Sequence, residues 1–263
     1  MKRVAGFFFY VIWMIVIWVI SLSWSLVVAI IRPFVPESKV YKLRVWMSVW
    51  SRMALKLAFS PVEVRGMEHM IEGPAIALSN HQSTMDIMVI SGYMPLDFLF
   101  FSKKELFYIP LTGQTMRALQ YIPVDRKSPK RAARSIRKGI SEVKKGKSIL
   151  VFPEGSRNVN PREVQPLKAG SLVIARHSKA PVVPVVIYGT NKILPINKKL
   201  YMLPHPVIVE FLKPIFPGDK LHPANAKTRE EEDELLIQLR SLLGDAYNKI
   251  ADEVEKSSPR NPA

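Results

Sequence analysis

In the stretch LSNHQSTMDIM, Leu78–Met88, a histidine and an aspartate stand five residues apart, His81 and Asp86. An imidazole beside a carboxylate can serve as a base, as half of a metal site, or as neither. Zinc needs more ligands, and no HxxxH or HxxE spacing joins His81, so no metal is expected. The base reading depends on placement. AIALS (Ala75–Ser79) is apolar and short, as a buried strand should be. Asn80 and His81 then fall in the turn after it, and Asp86 in the first turns of the next helix. From there its carboxylate can fold back on the ring. An aspartate on one ring nitrogen fixes the tautomer and raises the basicity of the other. His69, His177, His205 and His222 have no such companion and read as surface or supporting residues.

Three further strand ends carry cations. FSKKELFYIPLTG places Lys103 and Lys104 directly after an apolar run, and YIPVDR brings Arg126. SILVFPEGSRN ends a strand and presents Glu154, Gly155, Ser156 and Arg157. A glycine there lets backbone approach a ligand, and an arginine can grip a phosphate or carboxylate with two hydrogen bonds. Gly155-Ser156 is not a GxSxG elbow, so a serine nucleophile is not expected.

These positions need a scaffold that brings strand ends together. Short β-type runs alternate with helical ones from Pro61 onward. VEVRG (Val62–Gly66), Ala75–Ser79, Asp97–Ser102, Ser148–Phe152, Val182–Tyr188 and Pro206–Leu212 read as strands. Thr84–Gly92, Lys103–Phe107, Thr112–Gln120, Pro129–Lys145 and Ala169–His177 read as helices. Near-continuous apolar strands alternating with helices predict an α/β fold with a mostly parallel sheet flanked by helices. Such sheets place their sites at the carboxyl ends of the strands. A long C-terminal helix starts at a capping box, Thr228 with Glu231, and buries Leu235, Leu236, Leu239, Leu242, Leu243, Ala246 and Ile250.

The chain has 263 residues, no cysteine and a formal net charge of +16. Lack of cysteine removes disulfides and thiolate chemistry. The charge calls for a polyanionic partner: nucleic acid, an anionic membrane, or phosphorylated substrates. Lys103–Lys147 alone holds 13 Lys and Arg against three acids. The N-terminus decides among these partners. Val4–Ile31 is uncharged for 28 residues, a helix about 42 Å long against a bilayer core of about 30 Å. RPFVPE breaks it. A second helix, Ser38–Phe59, aligns Leu43, Trp46, Met47, Trp50, Met53, Ala54 and Leu57 in one stripe, with Arg44, Ser48, Ser51, Arg52 and Lys56 opposite. A basic amphipathic helix with tryptophans on its apolar face suits a membrane interface; a helix packed on its own domain is the other reading. Three segments are therefore expected: residues 1–59 a two-helix membrane anchor, 60–256 the α/β domain, and 257–263 a disordered tail.

NHQSTMD, KKELFYIPLTG with VDR, FPEGSRN and APVVPVVIYGT resemble the four consecutive motifs of the 1-acyl-sn-glycerol-3-phosphate acyltransferase (lysophosphatidic acid acyltransferase) family, bacterial type. Order and spacing match over Val62–Pro195, half of the chain. The first and third motifs together are specific; either alone is not. The resemblance implies the glycerophospholipid acyltransferase fold. It implies transfer of a fatty acyl group from acyl-CoA or acyl-carrier protein to the sn-2 hydroxyl of 1-acyl-sn-glycerol-3-phosphate, giving phosphatidic acid. It makes His81 the general base and Asp86 its orienting partner. Lys103 and Arg157 match positions that hold the acceptor's phosphate, and Glu154 and Gly155 match the glycerol-binding motif. Ser156 replaces the threonine often found there and keeps the hydroxyl. Val182–Val186 matches the fourth motif, which forms structure and acyl-chain wall. Ser83 and Thr84 stand where the first motif varies and receive no role.

The residue chemistry agrees with this. A histidine base can deprotonate an alcohol as it attacks a thioester, with no acyl-enzyme, metal or organic cofactor. Backbone N–H groups opening the helix after His81 are the expected oxyanion donors. The partners are then lysophosphatidic acid, the acyl donor and the lipid bilayer, and not nucleic acid, because KSPKRAARSIRKGISEVKKGK lacks the interleaved aromatics. Flanking charge favours a catalytic domain on the cytoplasmic side, for a bacterial inner-membrane enzyme. Three alternatives explain part of the pattern: an acyltransferase for another lysolipid, a non-catalytic anionic-lipid binder, and a membrane hydrolase.

Overall fold

A computed structural model describes residues 2–125, 127–196 and 201–257. The apolar N-terminal run is one helix, α1 (Lys2–Ile31), followed after the proline-rich turn by α2 (Tyr41–Leu57). The rest alternates strands and helices: β1 (Val62–Arg65), β2 (Ile76–Ser79), α3 (Met85–Tyr93), β3 (Phe98–Lys103), α4 (Thr112–Ala118), β4 (Ile122–Val124), α5 (Pro129–Lys144), β5 (Ser148–Val151), α6 (Gly170–Ser178), β6 (Val182–Tyr188), α7 (Thr190–Ile193), β7 (Val207–Phe211) and α8 (Arg229–Ser257). The strands form one seven-stranded sheet in the order β1-β7-β6-β2-β5-β3-β4. β6, β2, β5, β3 and β4 are mutually parallel, while β7 runs antiparallel to β6 and carries β1 with it. The expected mostly parallel sheet is therefore present. Every residue of β2 and β6 is buried, as sheet covered on both faces requires.

Two local expectations change. β4 was not anticipated, because it is three residues long with a proline in the middle. Pro123 cannot donate to a ladder, so β4 can only be an edge strand, and it is one. Where a helix was expected at Lys103–Phe107, Lys103 closes β3 and Lys104–Tyr108 forms a 3-10 turn. The capping box of α8 is present: the Glu231 N–H donates to the Thr228 hydroxyl, and the Glu231 carboxylate accepts from the Thr228 N–H (both 3.2 Å). Ser257, expected in the tail, is the last residue of α8; residues 258–263 lie outside the described residues.

α2 packs on the domain through one side and leaves part of its apolar stripe outward. Its polar side packs on α3. Ser51, Ala54 and Leu55 are buried there, and Ser48 Oγ (3.1 Å) and Arg52 Nε (2.6 Å) both donate to the Gly92 carbonyl. The last carbonyls of a helix lack partners within it and carry its negative dipole end, so an arginine is well placed there. Arg44 reaches further, donating to the Leu119 carbonyl (3.0 Å) and gripping Asp97 with two hydrogen bonds. The apolar stripe divides: Trp46 (58% exposed), Met53 and Leu57 face out, with Val49 beside them (56%), while Leu43 and Ala54 are buried. α1 lies beside it. The Trp13 indole donates to the Ala54 carbonyl (3.1 Å), Trp24 stacks on Trp46, and the Gly6 carbonyl accepts from Met202 N–H (3.3 Å). At the other end Arg32 donates to the Ala118 carbonyl (3.3 Å).

Beyond Ser79 the β2–β6 ladder continues through a side chain. Asn80 Oδ1 accepts from the Ile187 N–H (2.8 Å) and its Nδ2 donates to the Ile187 carbonyl (2.9 Å), standing in for a backbone rung. The Gln82 amide also donates to that carbonyl. Replacing Asn80 by Ala should orphan the buried Ile187 N–H while leaving its carbonyl paired. We expect a loss of about 1–3 kcal/mol of stability, read from urea unfolding of the detergent-solubilised protein, with a larger loss for Asn80→Asp, which would bury a carboxylate oxygen against the Ile187 carbonyl.

Candidate active site

Because β2, β5, β3 and β4 are parallel, the segments that follow them emerge at one edge of the sheet. His81 occupies the turn after β2. Its Nδ1 lies 2.8 Å from Asp86 Oδ2. That oxygen also accepts from the N–H groups of Gln82 (2.7 Å) and Ser83 (2.9 Å), while Oδ1 accepts from the Thr190 hydroxyl. Asp86 is fully buried and each of these neighbours donates to it, so it acts as an acceptor-only carboxylate. The proton of the pair therefore sits on His81 Nδ1, which leaves Nε2 with a free lone pair. Nε2 has no partner among the described residues, and the His81 side chain keeps 14% of its surface. The pairing that the sequence spacing predicts is thus present, and its tautomer is the one a base needs.

The loop after β5 is stitched to the same turn. The Glu154 carboxylate accepts from His81 N–H (2.9 Å) through Oε1 and from Gln165 N–H (3.0 Å) through Oε2. Burial pushes the Glu154 carboxyl up, and those two backbone N–H groups pull the other way. The His81 carbonyl accepts from Asn158 N–H (2.7 Å). Phe152 stacks on the imidazole with ring centroids 4.0 Å apart and planes 17° from parallel. Gly155 has φ +73°, and a Cβ there would meet the Lys168 side chain at 2.7 Å. The positive φ is what favours glycine here, since the end of the flexible Lys168 side chain could move aside. Ser156 is exposed and bonds Gln165 (3.3 Å). Arg157 Nη1 donates to the Thr84 hydroxyl (2.7 Å), which brings the guanidinium to the His81 turn.

The remaining cations divide. Lys103 is 55% exposed at the end of β3, two strands from β2 and so roughly 10 Å across the sheet. Lys104 turns toward the end of β4 instead, where its ammonium lies 2.9 Å from Asp125 Oδ2. The Asp125 carboxyl is held below its ordinary range by Lys104, and the Lys104 ammonium is held above its own by Asp125. Arg126 lies outside the described residues. Of the amides opening the helix after His81, the expected oxyanion donors, those of Gln82 and Ser83 are committed to Asp86 and that of Met85 to the Ser83 hydroxyl (3.3 Å), while the Thr84 amide carries no hydrogen bond among the described residues. In the β5 loop, the Ser156 and Arg157 amides carry no hydrogen bond among the described residues.

Sequence reasoning missed Thr190, Phe152 and Thr84. Thr190 follows β6 at the end of the fourth motif and holds Asp86, so that motif does more than form a wall. Nothing in its local sequence signals a partner 104 residues away. The other four histidines each place Nδ1 or Nε2 on a backbone carbonyl, of Phe211, Val173, Pro206 and Ala180. Among the described residues no group of three or more His, Cys, Asp or Glu could hold a metal ion.

An acyltransferase family model matches residues 61–188, the span from β1 through β6. A 1-acyl-sn-glycerol-3-phosphate acyltransferase from coconut is 31% identical over 202 residues, 76% of this chain and 64% of that protein. One from Pseudomonas aeruginosa is 34% identical over 168 residues, 62% of this chain and 63% of that protein. The chain thus spans somewhat under two thirds of the length of these two relatives. The crystal structure of the 1-acyl-sn-glycerophosphate (LPA) acyltransferase PlsC from Thermotoga maritima superposes with a TM-score of 0.80 at 25% identity, over 95% of this chain and 98% of that one. With the His81–Asp86 pair seated in the matched span, residues 61–188 form a domain of the acyltransferase family, similar in sequence and fold to the 1-acyl-sn-glycerol-3-phosphate acyltransferases.

Proposed function

We propose that this protein transfers a fatty acyl group from a thioester, acyl-CoA or acyl-carrier protein, to the sn-2 hydroxyl of 1-acyl-sn-glycerol-3-phosphate, giving phosphatidic acid. The observation that carries the reading is His81 Nε2, open at the sheet edge, with Nδ1–H fixed on buried Asp86. Nε2 takes the hydroxyl proton as the acceptor oxygen bonds to the thioester carbonyl carbon. The tetrahedral intermediate then collapses, the C–S bond breaks, and the imidazolium returns its proton to the leaving thiolate. Asp86 stays unprotonated and steadies the imidazolium. Phe152 covers one face of the ring and limits water there. Arg157, with Lys103, supplies charge for the acceptor's phosphate. No step calls for a metal or organic cofactor.

The lipid acceptor accounts for the N-terminal helices. α1 is 30 residues long, and its apolar span is mostly uncovered by the protein. Its contacts run from Gly6 to Arg32, so the domain grips it along its length. The outward faces of α1 and α2 meet where Trp24 stacks on Trp46. We read this as one apolar surface embedded side-on in a bilayer, the inner membrane of a bacterium, with the α/β domain at the cytoplasmic face.

His81→Ala should abolish transfer with the fold intact, since base catalysis is worth about 10²–10⁴-fold. Asp86→Asn should leave residual activity, with some loss of stability because its Nδ2 would face donors. Steady-state rates on purified protein, with circular dichroism as control, check both; more than a tenth of wild-type kcat in His81→Ala would sink the base assignment. A wild type that released free fatty acid as fast without acceptor would favour a hydrolase instead.

Arg157→Ala should lower acceptor kcat/KM by about ten- to hundredfold, a charge-assisted phosphate contact being worth about 1.5–3 kcal/mol. The comparison is with a lyso-acceptor lacking phosphate, on which the variant and wild type should differ little. Trp46→Glu with Val49→Glu should leave the fold intact, since both side chains are more than half exposed, and weaken flotation with anionic vesicles, α1 keeping its own apolar surface.

A further inference from the structure

A strongly charged cavity lies away from His81. It has a volume of about 460 Å³ and wraps the edge strand β4 between the Lys104–Tyr108 turn, α4 and α5. Lys104, Arg117, Arg131, Arg134 and Lys138 line it, with Asp125 as the one carboxylate, so its net charge is +4. Asp125 is already neutralised by Lys104 (2.9 Å) and Arg131 (2.6 Å). Arg117 is held by the Phe107 carbonyl (2.6 Å). Arg134 and Lys138, on one face of α5 with Arg131, have no hydrogen bond or ion pair among the described residues. Cations converging without counter-charge are an unfavourable arrangement unless an anion completes them. Tyr108, 68% exposed at the rim, offers a flat apolar face beside them.

The cavity lies at β4, three strands from β2, so its near wall is roughly 14 Å across the sheet from the His81 turn. The acceptor cannot span that gap, because its phosphate is attached to the same three-carbon glycerol as the reacting hydroxyl. The donor can: its thioester sits at the end of a long, flexible pantetheine arm whose other end is a phosphate. Resting on the acyl-transfer reading, we propose that Arg134, Lys138 and Arg117 bind the phosphate end of the phosphopantetheine donor, so that the arm runs from the β4 edge across β3 to the His81 turn. CoA and a carrier protein share that phosphate, and CoA adds a nucleotide for which Tyr108 offers a stacking surface.

The test compares wild type with Arg134→Ala/Lys138→Ala, two exposed substitutions on a helix surface. Three donors are used with one acceptor: acyl-CoA, acyl-carrier protein and acyl-pantetheine, which lacks phosphate. The donor KM should rise about ten- to hundredfold with the phosphorylated donors, stay level with acyl-pantetheine, and leave the acceptor KM unmoved. A rise confined to acyl-CoA places the nucleotide end in the cavity; a rise with both places the shared phosphate there. Equal loss with all three donors, or none, overturns the proposal. Titration calorimetry of CoA itself gives a readout independent of turnover: binding to wild type and not to the double variant supports the site even if no thioester is a substrate, the result that would sink the acyl-transfer reading instead. CoA bound equally by both proteins, with vesicle binding lost in the variant, overturns it and assigns these cations to the membrane.

Discussion

A buried carboxylate organises this protein. Removing Asp86 from water would cost several kcal/mol if it stood alone, because an unpaired charge in a protein interior is strongly disfavoured. Four donors meet it, from Gln82, Ser83, Thr190 and His81. Two are backbone amides of the turn that carries the histidine, so the turn winds around the charge. One comes from the residue after Gly189 at the end of β6, which locks the turn to the neighbouring strand. The last is the imidazole. The same contacts that make the charge tolerable fix the ring's tautomer, so folding and catalytic readiness rest on one set of hydrogen bonds.

What the sequence made legible follows from how local each signal is. His81 and Asp86 are five residues apart, on a strand-turn-helix unit whose geometry the apolar pattern dictates. Their contact needed no knowledge of the rest of the chain. The sheet's parallel character was readable in its continuous apolar strands. β4 was not, because three residues around a proline carry no periodicity. Thr190 and Phe152 come to His81 and Asp86 only through strand order, which depends on pairing across more than a hundred residues in the first case. For α2 the apolar stripe was plain but its direction was not. The wheel could not show that Arg44, Ser48 and Arg52 would find carbonyls and a carboxylate on the domain, and so become the packed side.

The packing of α2 also reaches the helix that carries Asp86. α3 begins with the residues around Asp86 and ends at the Gly92 carbonyl that Ser48 and Arg52 share. The helix that exposes apolar side chains on one side thus braces, on the other, the helix that holds the buried carboxylate. The positive surface of α5 lies on a different part of the molecule, beyond the edge strand, and its amphipathic character follows from Gly139 and Val143 packing inward while Arg134, Arg137 and Lys138 point out. The exposed apolar surface and the cationic surface are carried by separate elements.

The main chain of His81 is bonded on both sides to the segment after β5, its N–H to Glu154 and its carbonyl to the Asn158 N–H. Arg157 lies between those two anchors in sequence and is itself tethered to Thr84. The imidazole and the guanidinium are therefore mounted on one riveted frame. A frame built that way works like a gauge block: the spacing between the two groups is set by the chain's own hydrogen bonds when it folds.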